Sequence, residues 1–167
     1  SYLAANRRYA AALAPLLRGD DLVWVHDFHL IPLGRLLRRT GATPPLGFFL
    51  HVPFPEIAQL AALPQAAGLM QALLGYDLLG FQARRDLDAF RAAVAHWRGA
   101  AALATDGSIR CGPRRVHLAR VSRATISVTA IALARPCSPA RIRASRSGGT
   151  AAAPRTTTAA AGTSSRR

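Results

Sequence analysis

Two short stretches hold the ionisable residues best placed to do chemistry: "LVWVHDFHLIPL" at residues 22–33 and "LGFFLHVPFP" at residues 46–55. In the first, His26, Asp27 and His29 interrupt an apolar run; in the second, His51 follows one directly. Burying such groups without partners is costly, so they belong where a buried strand emerges into a cleft. There a carboxylate can fix hydroxyl groups through charge-assisted hydrogen bonds, and an imidazole can donate, accept or carry charge near neutral pH. Each position also has a structural reading. Asp27 suits the N-cap of a following helix, and His29 suits packing or capping at the helix start. His26 is divided between a structural hydrogen bond and a ligand contact. His51 precedes a proline-stiffened "PFP" loop that fixes its direction. His96 and His117 have no obvious partners. Asp20 and Asp21 resemble a metal pair but precede the strand, at the wrong end of a sheet, and read as turn residues.

The elements that must position these groups follow from hydrophobic pattern. Residues 2–17 read as an Ala- and Leu-rich helix bent at Pro15 and closed by Gly19. The runs at 22–25, 46–50 and 77–81 have strand length and the uninterrupted apolar character of parallel strands covered on both faces. Helical segments lie between them at 30–39 and from the "PFP" loop to about Leu74, broken near Pro64. A last helix at 83–97 carries Leu87, Phe90, Val94 and Trp97 at spacings of three or four. The alternation predicts an α/β fold with a parallel sheet, enough for half of a doubly wound domain. In open parallel sheets ligands bind beyond the carboxyl ends of the strands, and crossovers of one hand leave those ends on one edge. His26, Asp27 and His51 are thus expected to share a crevice.

Composition narrows the remaining classes. Of the net charge of +14, residues 1–100 contribute +3 and residues 101–167 contribute +11, all of it from arginine. All 11 aromatic residues lie before residue 98. Without large apolar groups to offset ordering entropy, the segment from 101 on is expected to be disordered. Cys111 and Cys137 form no CxxC motif and have no histidine at metal-ligand spacing. No long apolar run or signal peptide is visible, so the expectation is a cytoplasmic protein without a membrane partner. GxGxxG, Walker and GxSxG motifs are absent.

The stretches "GDDLVWVHDFHLIPL", "LGFFLHVPFP" and "LLGYDLLGFQ", in that order, resemble the N-terminal domain of the trehalose-6-phosphate synthases, retaining glycosyltransferases built of two Rossmann-like domains in the GT-B arrangement. "YLAANRRYA" near the start is similar to their Asn-containing helix. The resemblance covers roughly residues 1–98. It implies transfer of glucose from a nucleotide sugar, usually UDP-glucose, to glucose 6-phosphate, giving α,α-trehalose 6-phosphate. The aspartate matching Asp27 binds the acceptor sugar in that family, and the histidine matching His51 lies by the donor glucose at the reaction centre. The family needs no cofactor and no catalytic metal, and intact members can form oligomers.

The resemblance also has limits. The segment carrying donor-phosphate glycines and an acceptor-binding arginine would precede Ser1. An acid expected about three residues after "HVPFP" is Ala58 here, with Glu56 earlier. The family pattern stops near residue 100, and the donor-binding second domain does not follow. Residues 1–100 are therefore expected to form a partial acceptor-side Rossmann-like domain, inactive alone. Residues 101–167 are expected to be a low-complexity basic tail, disordered or produced by a frameshift. Two other functions stay open: a sister enzyme with another phosphorylated acceptor such as glycerol 3-phosphate, and a non-enzymatic domain whose basic arm binds nucleic acid without specificity.

Overall fold

The computed structural model describes residues 1–121 and 156–159. Helix α1 (Tyr2–Leu13) passes into a 3-10 turn over Ala14–Leu16, so the bend expected at Pro15 marks a change of helix type. Strand β1 (Leu22–His26) leads through a 3-10 turn at Phe28–Leu30 to α2 (Leu33–Arg39). Strand β2 (Leu46–Leu50), α3 (Ile57–Ala61), α4 (Ala66–Leu73), β3 (Leu78–Phe81) and α5 (Arg84–Arg98) follow. The strands fall where the apolar runs place them. Helix α2 starts later than expected, because Pro32 serves as its N-cap and lends its fixed φ to the entry.

Strands β1, β2 and β3 pair in parallel in sequence order. Val23, Val25, Phe48, Leu50, Leu79 and Phe81 point to one face and join the apolar residues of all five helices in the main core. On the other face Trp24, Phe49, Leu78 and Val121 form a smaller cluster. The described helices thus cover one side of the sheet, as half of a doubly wound arrangement does. Among the described residues no helix is long and apolar enough to cross a membrane.

The chain does not leave the fold at residue 100. A hairpin of β4 (Ile109–Cys111) and β5 (Arg114–Arg120) turns at Gly112, whose φ of +61° favours glycine. Strand β5 then pairs in parallel with β3. The expectation of a disordered tail therefore fails for residues 101–121, and the reason is physical. Ile109 and Val116 are completely buried, so a short period-2 pattern was enough for the edge of an existing sheet. The arginines of this segment are tied down. Arg114 donates to the Asp77 carboxylate at 2.9 Å and to the Tyr76 carbonyl at 3.2 Å. Arg115 pairs with Asp106 at 3.0 Å, and Arg110 donates to the Ala101 carbonyl at 2.6 Å. Asp77 also pairs with Arg38 at the end of α2 and accepts from the Leu46 amide at 2.8 Å. It joins the starts of β2, β3 and β5 through one carboxylate.

Strand β6 (Thr156–Ala159) pairs in parallel with β1 on the side away from β2. The sheet order is β4-β5-β3-β2-β1-β6. The order therefore reverses at β1, and the carboxyl end of β1 lies beside a topological switch point, where open α/β sheets bind ligands. The rest of the basic segment, Cys137 included, lies outside the described residues.

Candidate active site

The site grows from the β1–β2 register. His26 pairs with Phe49, so Trp24 and His26 on one strand share a face with Phe49 and His51 on the next. Glycines make room for the rings. A Cβ at Gly47 would overlap the Trp24 indole, and one at Gly80 would approach the Phe49 ring to 2.8 Å. Trp24 thus lies across β2 and Phe49 across β3, forming an aromatic ledge that ends in the two histidines. Phe49 meets the His51 ring edge-to-face at a centroid distance of 4.6 Å, and His26 at 6.2 Å.

At the end of the ledge His26 Nδ1 and His51 Nε2 are 2.8 Å apart, within hydrogen-bond distance. His26 is half-buried, and burial, followed by the neighbouring His51, lowers its pKa from 6.5; Asp27 acts in the opposite direction. His51 is further anchored through its carbonyl, which accepts from Gln82 Nε2 at 2.8 Å. Beyond it the "PFP" loop is fixed by Phe54, buried edge-on against Phe81 and Phe90, with its amide donating to Asp86 Oδ1 at 3.3 Å. Glu56 and Gln59 form a reciprocal capping box at the start of α3, which gives Glu56 a structural role.

Asp27 stands at φ 69° and ψ 161°, the only non-glycine residue with positive φ among the described residues. That region is essentially confined to glycine and costs a side-chain-bearing residue on the order of 1–3 kcal/mol; such strain is held where the surroundings over-determine it. Here its amide donates to the Phe49 carbonyl at 2.8 Å, and its Oδ1 accepts from the Phe28 amide at 2.8 Å. The capping role read from sequence is present, on the adjacent amide. The second carboxylate oxygen has no protein partner among the described residues.

His26, Asp27 and His51 are therefore brought together at one edge. His29 is exposed, with its ring stacked on Phe28 at 3.9 Å and its backbone carbonyl, not its imidazole, engaged. Asp21 accepts from the Arg18 amide at 2.8 Å and closes the turn before β1, as expected. His96 packs against Trp97, and His117 sits in β5. Gln82, Asn6, Tyr2 and Tyr76 were not foreseen as supports of the site. For Gln82 the available signal was its place directly after β3 on the same edge. A groove of about 310 Å3 between α4 and α5, lined by Met70, Leu74, Val94 and Trp97, lies on the helical side and includes none of the strand-end residues.

Comparison with known proteins bears on the family and the fold. The family model described as Glycosyltransferase family 20 matches residues 1–146. A trehalose-6-phosphate synthase of Klebsiella pneumoniae subsp. pneumoniae is 46% identical over 94 residues, covering 56% of this chain and 20% of the relative. An alpha,alpha-trehalose-phosphate synthase (UDP-forming) from Burkholderia xenovorans, solved in complex with glucose-6-phosphate, superposes with a TM-score of 0.64 at 40% identity, over 72% of this chain and 28% of that one. An Escherichia coli structure bound with UDP-2-fluoro glucose gives a TM-score of 0.65 at 35% identity, over 71% and 26%. The chain thus spans about a fifth of the length of the curated relatives it matches.

Proposed function

The chain belongs to glycosyltransferase family 20, and from that membership we propose that it forms the acceptor-side part of an enzyme that transfers glucose from UDP-glucose to glucose 6-phosphate with retention, giving α,α-trehalose 6-phosphate. In that reaction the bond between glucose C1 and the UDP oxygen breaks. A bond from C1 to the anomeric oxygen of the acceptor forms, and the proton of the acceptor hydroxyl passes to the departing UDP phosphate. Asp27 binds the acceptor: its second carboxylate oxygen, without a partner among the described residues, accepts from sugar hydroxyls, strongly because the carboxylate is charged. His51 serves the donor side, hydrogen-bonding the glucose and stabilising charge that develops at the reacting carbon through position rather than covalent attack. Charged, phosphorylated substrates of this kind support a cytoplasmic location for the protein.

One observation carries the reading. The Asp27 amide is bonded to the carbonyl of Phe49, two residues before His51, so the two side chains assigned to acceptor and donor leave adjacent strands at the same edge. The bound molecules of the Burkholderia xenovorans and Escherichia coli neighbours, glucose-6-phosphate and UDP-2-fluoro glucose, are of the two classes this requires.

Calorimetric titration of glucose 6-phosphate into this chain and into Asp27→Asn tests the assignment, with glycerol 3-phosphate as competitor. Loss of a charge-assisted hydrogen bond should weaken binding by roughly 10- to 150-fold, equivalent to about 1.5–3 kcal/mol. Unchanged affinity in the variant, or tighter binding of glycerol 3-phosphate, would count against it. The chain by itself should release no UDP from UDP-glucose, because holding both substrates in register supplies on the order of 7–11 kcal/mol of such a reaction.

A further inference from the structure

A hydrogen bond between two neutral imidazoles needs one N–H and one lone pair. His26 offers Nδ1 and His51 offers Nε2, 2.8 Å apart. If His26 Nδ1 carries the bridging proton, His26 is bare at Nε2. His51, accepting at its own Nε2, must then hold its proton at Nδ1. If His51 Nε2 carries the bridging proton, His51 is bare at Nδ1 and His26 is protonated at Nε2. In both states the two rings are the same tautomer, and their outer nitrogens are opposite: one donor and one acceptor. Passing from the first state to the second takes up one proton at His26 Nε2, shifts one across the bridge, and releases one from His51 Nδ1.

We infer that His26 and His51 act as one proton-coupled unit, in which His26 is a positioning residue that sets the tautomer of His51 and so decides whether His51 donates to a sugar hydroxyl or accepts from it. This rests on the glycosyltransferase reading above for the identity of the ligand, while the coupling itself follows from geometry. The pair is held on every side that the described residues supply. Trp24 on the same strand and Asp27 just after it flank His26, Phe49 meets both rings, and Gln82 directly after β3 fixes the His51 carbonyl. Asp27 is the one carboxylate acting on His26, and it is outweighed by burial and by His51. Burial and the second imidazole thus both favour the uncharged form of His26. Neither ring makes another side-chain hydrogen bond among the described residues, so both outer nitrogens are free for ligand or water.

Nuclear magnetic resonance of the whole chain labelled with 15N-histidine tests this without turnover. At about pH 8, above the ordinary histidine range, His26 and His51 should show matched tautomers, with a 15N–15N coupling across the bridge from His26 Nδ1 to His51 Nε2. Mixed tautomers, or the absence of that coupling, would overturn the inference. His26→Phe keeps a ring on the ledge but removes Nδ1, and should release His51 to the tautomer mixture of an uncoupled imidazole. His26→Asn returns an amide near the Nδ1 position and should restore a hydrogen bond at His51 Nε2, seen as a shift of that ring nitrogen away from its position in His26→Phe. Unchanged His51 ring signals in His26→Phe would refute a positioning role, and the coupling in the unmodified chain decides the matter should that variant unfold. A chain that shows the coupling but binds no glucose 6-phosphate would leave the pair standing and sink the proposed function instead.

Discussion

Asn6 of α1 donates from Nδ2 to the carbonyl of His29 at 2.9 Å, tying the first helix to the turn that follows Asp27. It is one of three such ties. Tyr2 Oη donates to the Phe28 carbonyl at 2.6 Å, and Tyr76 Oη donates to the Leu30 carbonyl at 2.8 Å. Three successive carbonyls are thereby fixed by side chains from two distant elements, which is how the strained backbone at Asp27 is kept in place.

Asn6 is almost fully buried, so Asn6→Ala should cost about 1–3 kcal/mol by leaving backbone carbonyls without a donor. Tyr2→Phe removes one bond at an exposed site and should cost about 0.5–1.5 kcal/mol. Urea denaturation of both variants checks the order. Equal losses would mean that the ties do not act as separate anchors.

These relationships mark what the sequence could and could not reveal. The strand at 46–50 was legible because five uninterrupted apolar residues admit one environment, covered on both faces. Helix α5 was legible from the spacing of Leu87, Phe90 and Val94. That His26, Asp27 and His51 share an edge followed from the parallel order alone. The His26–His51 contact did not, because it depends on a register that pairs His26 with Phe49. Nor did the conformation of Asp27, since no side chain advertises a backbone angle that its own type disfavours. Strand β5 was hidden by its arginines, whose partners Asp77 and Asp106 lie elsewhere in the sequence.

Asp27 should trade stability against binding. Asp27→Gly relieves a conformation that only glycine adopts freely, and glycine caps a helix nearly as well as aspartate. The variant should be more stable by about 1 kcal/mol and should lose affinity for glucose 6-phosphate. A destabilised Asp27→Gly would show that the Phe28 cap outweighs the strain.

Gly47 and Gly80 should tolerate no side chain. Gly47→Ala pushes a methyl into the Trp24 ring, and overpacking of this kind costs about 1–3 kcal/mol. Gly68→Ala, where nothing lies within 4 Å of the new carbon, is the control and should be neutral or stabilising in its helix. Melting temperatures of the two variants settle whether the ledge is as tight as it stands.

The hairpin is testable by hydrogen exchange. The His117 amide donates to the Asp77 carbonyl at 2.8 Å and the Val121 amide to the Phe81 carbonyl at 2.8 Å, so both should exchange as slowly as the amides of β3. Fast exchange beyond Trp97 would restore the view of a tail that starts at residue 101. Protection through Val121 would place any change of reading frame behind that residue, where the nucleotide sequence read in all frames can reveal it.

The histidine pair should leave a mark on stability as pH falls. The pKa of His26 is lowered from 6.5, chiefly by burial and then by His51. A histidine of this kind binds its proton less tightly in the folded chain than in the unfolded one. Between the two pKa values the unfolded chain therefore holds more protons, and stability falls as the pH drops through that interval, having been complete above about 6.5. His26→Phe removes the group that resists protonation, so its stability should change less between about pH 7.5 and about pH 5.5, a range in which histidines titrate and ordinary carboxylates do not. Urea denaturation of both chains across that range gives the difference directly. Parallel curves would mean that the two rings meet without cost, and that the 2.8 Å contact imposes no preference on where their protons reside.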